Sequence, residues 1–259
     1  MSKIFTNKKY CGLIWHLLFA GSFISLSLFF LEFTEGVTWY LVSTALRITF
    51  GTAILIVSSR LFDRKVSEIM SFKNTKGALL AGIGFLIFFV YEFITVVSGA
   101  GEINGLTAAI FLANIILQQA STGFYEEINY RFLLLEGLRH TGNDVGMKIL
   151  YVMVSSVLFG LLHCVEGWDT YTFLRTGAMG FAFAVIFVRS GNIVVPMILH
   201  FLFDVIANMT EFIKWDHNAF FDNMSSVFEI MLVIMVVISF VILVMPQKQR
   251  QTEKEKSTI

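Results

Sequence analysis

Apolar residues run along this chain in stretches of about twenty, at about 11–31, 38–58, 77–97, 105–138, 146–164, 171–188, 192–212 and 226–245, with short polar segments between them. A hydrocarbon core about 30 Å thick is crossed by about 20 helical residues, so each stretch predicts a transmembrane helix and the set predicts eight. The fourth stretch is longer than a bilayer requires. Its polar residues begin at Gln118, Gln119 and Ser121, which predicts a helix that continues through a protein-lined, hydrated interior toward the cytoplasm. Pro196, early in the seventh stretch, is placed to kink that helix or to occupy its first turn.

Composition agrees with the pattern. Hydrophobic residues make up 56% of the 259, charged residues only 15%, and the mean hydropathy is +0.74, far above what a soluble domain needs. The fold class is therefore all-α, a polytopic membrane protein with a single integral membrane domain over 1–246 and a polar cytoplasmic tail over 247–259. Lys3, Lys8 and Lys9 ahead of the first apolar run imitate a signal peptide, but the run is long and lacks a small-residue cleavage pattern, so it reads as an uncleaved span. The 19 basic and 19 acidic side chains balance and give no hint of nucleic acid, and two cysteines, Cys11 and Cys164, imply no disulfide framework.

Charge placement predicts orientation. With both termini in the cytoplasm, fifteen of the nineteen Lys and Arg residues fall in inside segments, Arg175 and Lys214 fall outside, and Arg47 and Arg131 lie within spans. Trp39, Trp168 and Trp215 then sit at the outer interface.

Three polar constellations break the apolar pattern. The first is Glu126-Glu127 followed by Arg131. Glu127 and Arg131 are four apart and share a helix face, which lets them neutralise one another, while Glu126 points about 100° away as a free carboxylate. The second is Phe159-Gly160-Leu-Leu-His163, in which Phe159 and His163 share a face and Gly160 allows close approach of another backbone. The third is His200 and Asp204, again four apart, a spacing that holds a metal, orients an imidazole or presents both groups to a substrate. Charged groups at bilayer depth cost several kcal/mol unless paired or lining a cavity, so such clusters are candidate functional sites, the alternative being ion pairs and hydrogen bonds that lock helices together. Counting about 1.5 Å per residue from the cytoplasmic span ends puts Glu126 about 20 Å in, His163 about 22 Å and His200 about 12 Å, so the three are expected to converge near the cytoplasmic side of the midplane. Glu92 and His16, also within spans, are read as groups hydrogen-bonded across helices, and Cys164 as a small buried thiol.

The ordered set Glu-Glu-x-x-x-Arg, Phe-x-x-x-His and His-x-x-x-Asp on successive membrane helices resembles the CPBP intramembrane proteases, the type II CAAX prenyl endopeptidases together with the bacterial Abi and bacteriocin-immunity proteins. The resemblance covers about 105–210. It implies an endopeptidase in which Glu126 is the catalytic carboxylate, His163 works with it on a water, His200 and Asp204 complete the site, and Glu127 and Arg131, with Phe159, support the local structure. Asp204 stands where eukaryotic CAAX proteases usually carry asparagine, and an ionised carboxylate cannot donate to an oxyanion. Zinc held by His163, His200, Asp204 and Glu126 and a metal-free hydrolysis use the same residues, with a slight preference for zinc because a carboxylate ligates better than an amide. The expectation is thus an intramembrane protease, glutamate-type or metallo-endopeptidase, in a bacterial plasma membrane. It would act on a membrane-associated peptide or protein, prenylated or bacteriocin-like. The competing readings are a transporter or proton relay through Glu126, His163 and His200, and a non-catalytic immunity factor on the same scaffold. The sequence leaves the oligomeric state open.

Overall fold

The computed structural model describes residues 10–139 and 144–246. Lys3, Lys8, Lys9, Lys248, Arg250, Lys254 and Lys256, and the whole of the tail over 247–259, lie outside the described residues.

The apolar stretches become helices because a backbone in lipid must satisfy its polar groups within its own segment. In chain order they are α1 (Cys11–Leu31), α2 (Gly36–Phe62), the short α3 (Val66–Ile69), α4 (Thr75–Ala81) and α5 (Ile83–Gly99). Next comes the helical run α6 over 108–139, followed by α7 (Val145–Leu162), α8 (Thr170–Ser190), α9 (Val194–Met209), α10 (Ala219–Ser225) and α11 (Phe228–Val244). Five of these helices are long and apolar enough to cross a membrane, and seven spans result if each bent pair is counted as one. The bent pairs are α4 with α5, which turn by 70° at Gly82, and α10 with α11, which turn by 46°. The sequence pattern had α4 and α5 in one span over 77–97 and α11 in the span over 226–245, with α10 outside it.

The long fourth stretch departs from the expected plain α-helix. Within α6, Ala108–Ile110, Gln119–Glu126 and Leu134–Arg139 are α-helical, whereas Phe111–Gln118 and Glu127–Leu133 are wound as wider π-helix. The second wide segment starts at Glu127. Such π stretches frequently accompany functional sites, because they re-aim the side chains around them.

Helix α8 is the centre of the bundle: 61% of its apolar window is buried, against 11% for α1. Two aromatic-rich clusters pack around it. One gathers Tyr125, Ile128 and Phe132 of α6 with Phe181 and Val185 of α8, and the other gathers Phe85 and Phe88 of α5 with Phe183 of α8 and Phe203 of α9. Leu28, Phe29 and Val233 are 59%, 59% and 60% exposed, an outward apolar surface that only lipid covers without cost.

The chain ends of the helices sort into two groups, as alternation across a membrane demands. At one end Asn192 donates to the Lys73 carbonyl, Asn74 to the Ser190 carbonyl, Arg189 to the Met245 carbonyl, and Arg64 pairs with Glu136 at 2.8 Å. At the other, a short antiparallel ribbon joins β1 (Ala100–Ile103) to β2 (Ile213–Trp215), and Asn218 donates to the Ser98 carbonyl. The ribbon was not legible in the apolar pattern. Trp215 stacks on Phe221 beside it, with centroids 5.1 Å apart.

Candidate active site

The three constellations come together between α6, α7, α8 and α9. The contact depends on Gly123, one turn before Glu126: a Cβ there would lie 2.8 Å from the Met197 carbonyl, so only glycine lets α6 approach α9 closely enough for the two glutamates to meet His200. Gly160 plays the part expected of it, since a Cβ there would lie 2.7 Å from the Phe173 carbonyl of α8.

Glu127 and Arg131 pair as their spacing predicts, with Nε to Oε2 at 3.2 Å and both side chains fully buried. Glu127 does more than the sequence reading gave it. Its other oxygen accepts a hydrogen bond from His200 Nδ1 at 2.9 Å, so one carboxylate joins the guanidinium to the imidazole across two helices. Arg131 is boxed in by aromatic faces: its Cζ lies 4.3 Å from the centroid of Phe159 and 5.6 Å from those of Tyr130 and Phe183. Each such cation–π contact contributes about 0.5–2 kcal/mol, the upper end applying where water is absent. Phe183 also stacks on His200, with centroids 5.0 Å apart and planes at 24°.

A carboxylate can only accept, so the bond to Glu127 fixes the proton on His200 Nδ1 and leaves Nε2 facing the other acids. Asp204 Oδ2 lies 3.4 Å from Nε2 and Glu126 Oε2 lies 3.7 Å from it. A bare nitrogen lone pair between two carboxylates would be repelled by both. A proton therefore resides there, on the ring or shared with an acid. Glu126 is, as expected, the glutamate outside the Arg131 pair, and its Oε2 is buried without a hydrogen-bond partner.

His163 is placed differently from the sequence expectation. Helix α7 stops at Leu162, and His163 caps its end at an exposed position instead of lying within the span, because the chain tightens there into a turn with His163 N–H on the Gly160 carbonyl and Cys164 N–H on the Leu161 carbonyl. Its Nδ1–H donates to the Phe159 carbonyl at 2.7 Å, which leaves Nε2 as a free acceptor when the ring is neutral. The Phe159 ring separates the two imidazoles, at 4.5 Å from His163 and 5.9 Å from His200.

Two cavities meet at His163. One, of about 280 Å³, runs from Glu126 and His163 past Tyr125 and Tyr130 to Arg47 and an apolar wall of α1 that includes Phe23, Ile24 and Leu28. The other, of about 220 Å³, is lined by His163, His200, Asp204, Arg175 and the aromatic faces of Phe159 and Phe183. Glu126 is 14% exposed and Asp204 18%, enough to reach these spaces, whereas Glu127 and Arg131 are sealed off.

The donor set is not arranged as a metal centre. Among the described residues no group of three or more His, Cys, Asp or Glu is disposed to hold an ion. His200 has Nδ1 committed to Glu127 and Nε2 turned toward Asp204 and Glu126, and among the described residues His163 makes no ion pair with the cluster. No chemical step is derived through a metal.

The other polar residues in the spans behave structurally. His16 donates from Nδ1 to the Asn129 side-chain oxygen at 3.0 Å and packs edge-on against Tyr130. Glu92 is buried with Oε1 unpartnered, so a bond across helices is not seen for that oxygen. Cys164 is only partly buried, at the turn after His163. Arg47, which the sequence placed in a span without a role, lines the first cavity beside Glu126. The available signal was the Ser43-x-x-x-Arg47 spacing, which puts a hydroxyl under the guanidinium.

No curated protein and no solved structure matches the chain. A family model does: residues 106–206, from the start of α6 through α9, match the one described as type II CAAX prenyl endopeptidase Rce1-like. That segment contains every residue of the three constellations, and over it the chain is similar to the CAAX-type intramembrane proteases.

Proposed function

We propose that this protein hydrolyses a peptide bond of a membrane-associated substrate, with Glu126 and His163 activating water and His200 and Asp204 completing the site. The observation that carries the reading is the split of the glutamate pair: Glu127 is sealed from water and held by Arg131 and His200, while Glu126 is 14% exposed at a cavity it shares with His163. A water held between these two groups loses a proton to Glu126 as its oxygen attacks the scissile carbonyl carbon. The carbonyl electrons move onto oxygen, where the His200 Nε2 proton stabilises the charge. As the carbonyl re-forms, the C–N bond breaks and the leaving amine takes the proton back from Glu126. Asp204, 3.4 Å from Nε2, keeps that imidazole turned and protonated.

The substrate proposed is a prenylated or otherwise lipid-anchored peptide, because the first cavity places an apolar wall from α1 directly beside Glu126. Eight spans with both termini in the cytoplasm complete the reading, α6 counting as the fourth; the plasma membrane of a bacterium is the proposed location. The test is cleavage of a fluorescence-quenched farnesylated CAAX peptide, and of its unprenylated counterpart, by purified protein in proteoliposomes. Wild type is expected to cut the farnesylated peptide faster, and Glu126→Gln to cut neither. Cleavage by Glu126→Gln at the wild-type rate removes Glu126 as the base and the mechanism with it.

A further inference from the structure

Arg47 lies on α2, outside the segment that carries the family match, and its surroundings are unusual for an arginine in a span. One guanidinium nitrogen, Nη1, donates to Ser43 Oγ, a hydroxyl that also accepts from Gln118 Nε2 at 3.1 Å. The group lies over the Phe23 ring, 5.6 Å from its centroid. Nε is buried and has no hydrogen-bond partner. Among the described residues no carboxylate closes an ion pair with Arg47, although Glu126 lines the same cavity. The guanidinium is thus anchored from behind by Ser43 and Phe23 and directed at the cavity that holds Glu126 and His163.

A guanidinium presents five donors in a rigid fork, and leaving buried donors unmade costs about 1–3 kcal/mol each. That cost is recovered when an acceptor arrives, and most fully when the acceptor becomes charged in a space from which water is excluded. The proposed reaction creates such an acceptor beside Glu126. The site also lacks a second neutral donor where one is needed: Asp204 cannot donate when ionised and would repel an oxyanion.

We propose that Arg47 is a catalytic residue of this site, donating through its guanidinium to the oxyanion formed at the scissile carbonyl and so supplying the stabilisation that Asp204 does not. The inference rests on the proposed protease function. Water attack shifts the carbonyl electron pair to oxygen, and that oxygen is held between His200 Nε2–H, 3.7 Å from Glu126 Oε2, and the Arg47 fork, which lines the cavity of Glu126. When the carbonyl re-forms and the C–N bond breaks, the charge leaves and the fork is released. No proton passes through Arg47, whose guanidinium stays charged throughout.

The experiment measures cleavage of the farnesylated CAAX peptide by full-length wild type, Arg47→Lys, Arg47→Gln and Glu126→Gln. It also measures binding of two uncleavable analogues in which an aldehyde, able to form a charged tetrahedral adduct, or the matching alcohol replaces the scissile group. The expected result is a loss in kcat of about 10²–10³-fold for Arg47→Gln, the size typical of one oxyanion donor, and a smaller loss for Arg47→Lys, with KM within about threefold of wild type. The aldehyde should bind wild type more tightly than the alcohol, and both Arg47 variants should lose that preference. Arg47 variants that cleave within about threefold of wild type, or that keep the aldehyde preference while KM alone rises, overturn the proposal. If Arg47→Gln does not fold, Arg47→Lys decides, through its kcat and its aldehyde preference. Glu126→Gln separates the two readings: silence there with active Arg47 variants defeats the role of Arg47 alone, whereas activity there defeats the protease mechanism itself.

Discussion

Glu126 and Glu127 are neighbours in sequence and opposites in environment. On the sealed side, Glu127, Arg131, Phe159 and Phe183 form a dry assembly in which a carboxylate is held by a guanidinium and an imidazole and the guanidinium by aromatic faces. On the open side, Glu126, Asp204 and His163 touch two cavities, and Glu126 Oε2 accepts no hydrogen bond. The same chemistry, acid against base on adjacent helices, serves stability where it is sealed from water and reactivity where it faces a cavity. The junction is His200, whose Nδ1 belongs to the sealed side and whose Nε2 belongs to the open side. A rigid imidazole clamped at one nitrogen presents the other in a fixed direction, which is the preorganisation an active site needs.

The largest effect that would sharpen this comparison is loss of the free carboxylate. Glu126→Gln should lower cleavage by about 10²–10⁴-fold, the range for a general base, while the melting temperature in detergent stays within a few degrees of wild type. A large fall in melting temperature would mean that Glu126 belongs to the sealed side after all. Next, Arg131→Ala should destabilise the folded protein by about 3–5 kcal/mol, because it leaves Glu127 charged and buried with only His200 beside it. Thermal unfolding and the yield of folded protein check this, and an Arg131→Ala variant as stable as wild type would break the assignment.

A smaller effect probes the open side. Asp204→Asn removes a charge that repels an oxyanion and introduces an amide that can donate to it, so cleavage should be unchanged or raised by up to about tenfold, less than a whole oxyanion donor contributes. Elemental analysis of wild type and variant belongs with this measurement. Wild-type protein carrying close to one metal equivalent, lost together with activity in Asp204→Asn, would establish a zinc mechanism instead.

The smallest effect concerns the helix that serves both sides. Asp169 caps α8, accepting from the Thr172 N–H at 2.8 Å and from the Tyr171 N–H at 3.3 Å, and the hydrogen bond from Thr172 holds its carboxyl below the ordinary value of 3.8. A depressed value means that the capping stabilisation is present above the ordinary value and is lost as pH falls through the lowered one. Asp169→Ala should therefore melt slightly below wild type at neutral pH, with the gap closing in strong acid. A gap independent of pH would show that the cap acts without its charge.

The run lengths of apolar residues determined that this is a helical membrane protein, since in lipid no other structure built from these stretches satisfies its backbone. Spacing of four determined the Glu127–Arg131 and His200–Asp204 pairs, because such contacts depend only on helical periodicity. The carboxylate left outside the Arg131 pair was legible for the same reason. What lay beyond the sequence were the contacts between residues far apart along the chain. That Glu127 reaches His200 depends on Gly123 letting α6 meet α9, and that His163 caps α7 depends on where its helix tightens and stops. The breaks at Gly82 and before α11, the wide π turns of α6 and the small ribbon between α5 and α10 likewise answer to packing between elements. Arg47 is the clearest case: periodicity set Ser43 beneath it, but only the assembled bundle turned it toward Glu126, because the direction of a buried charge is set by what packs around it.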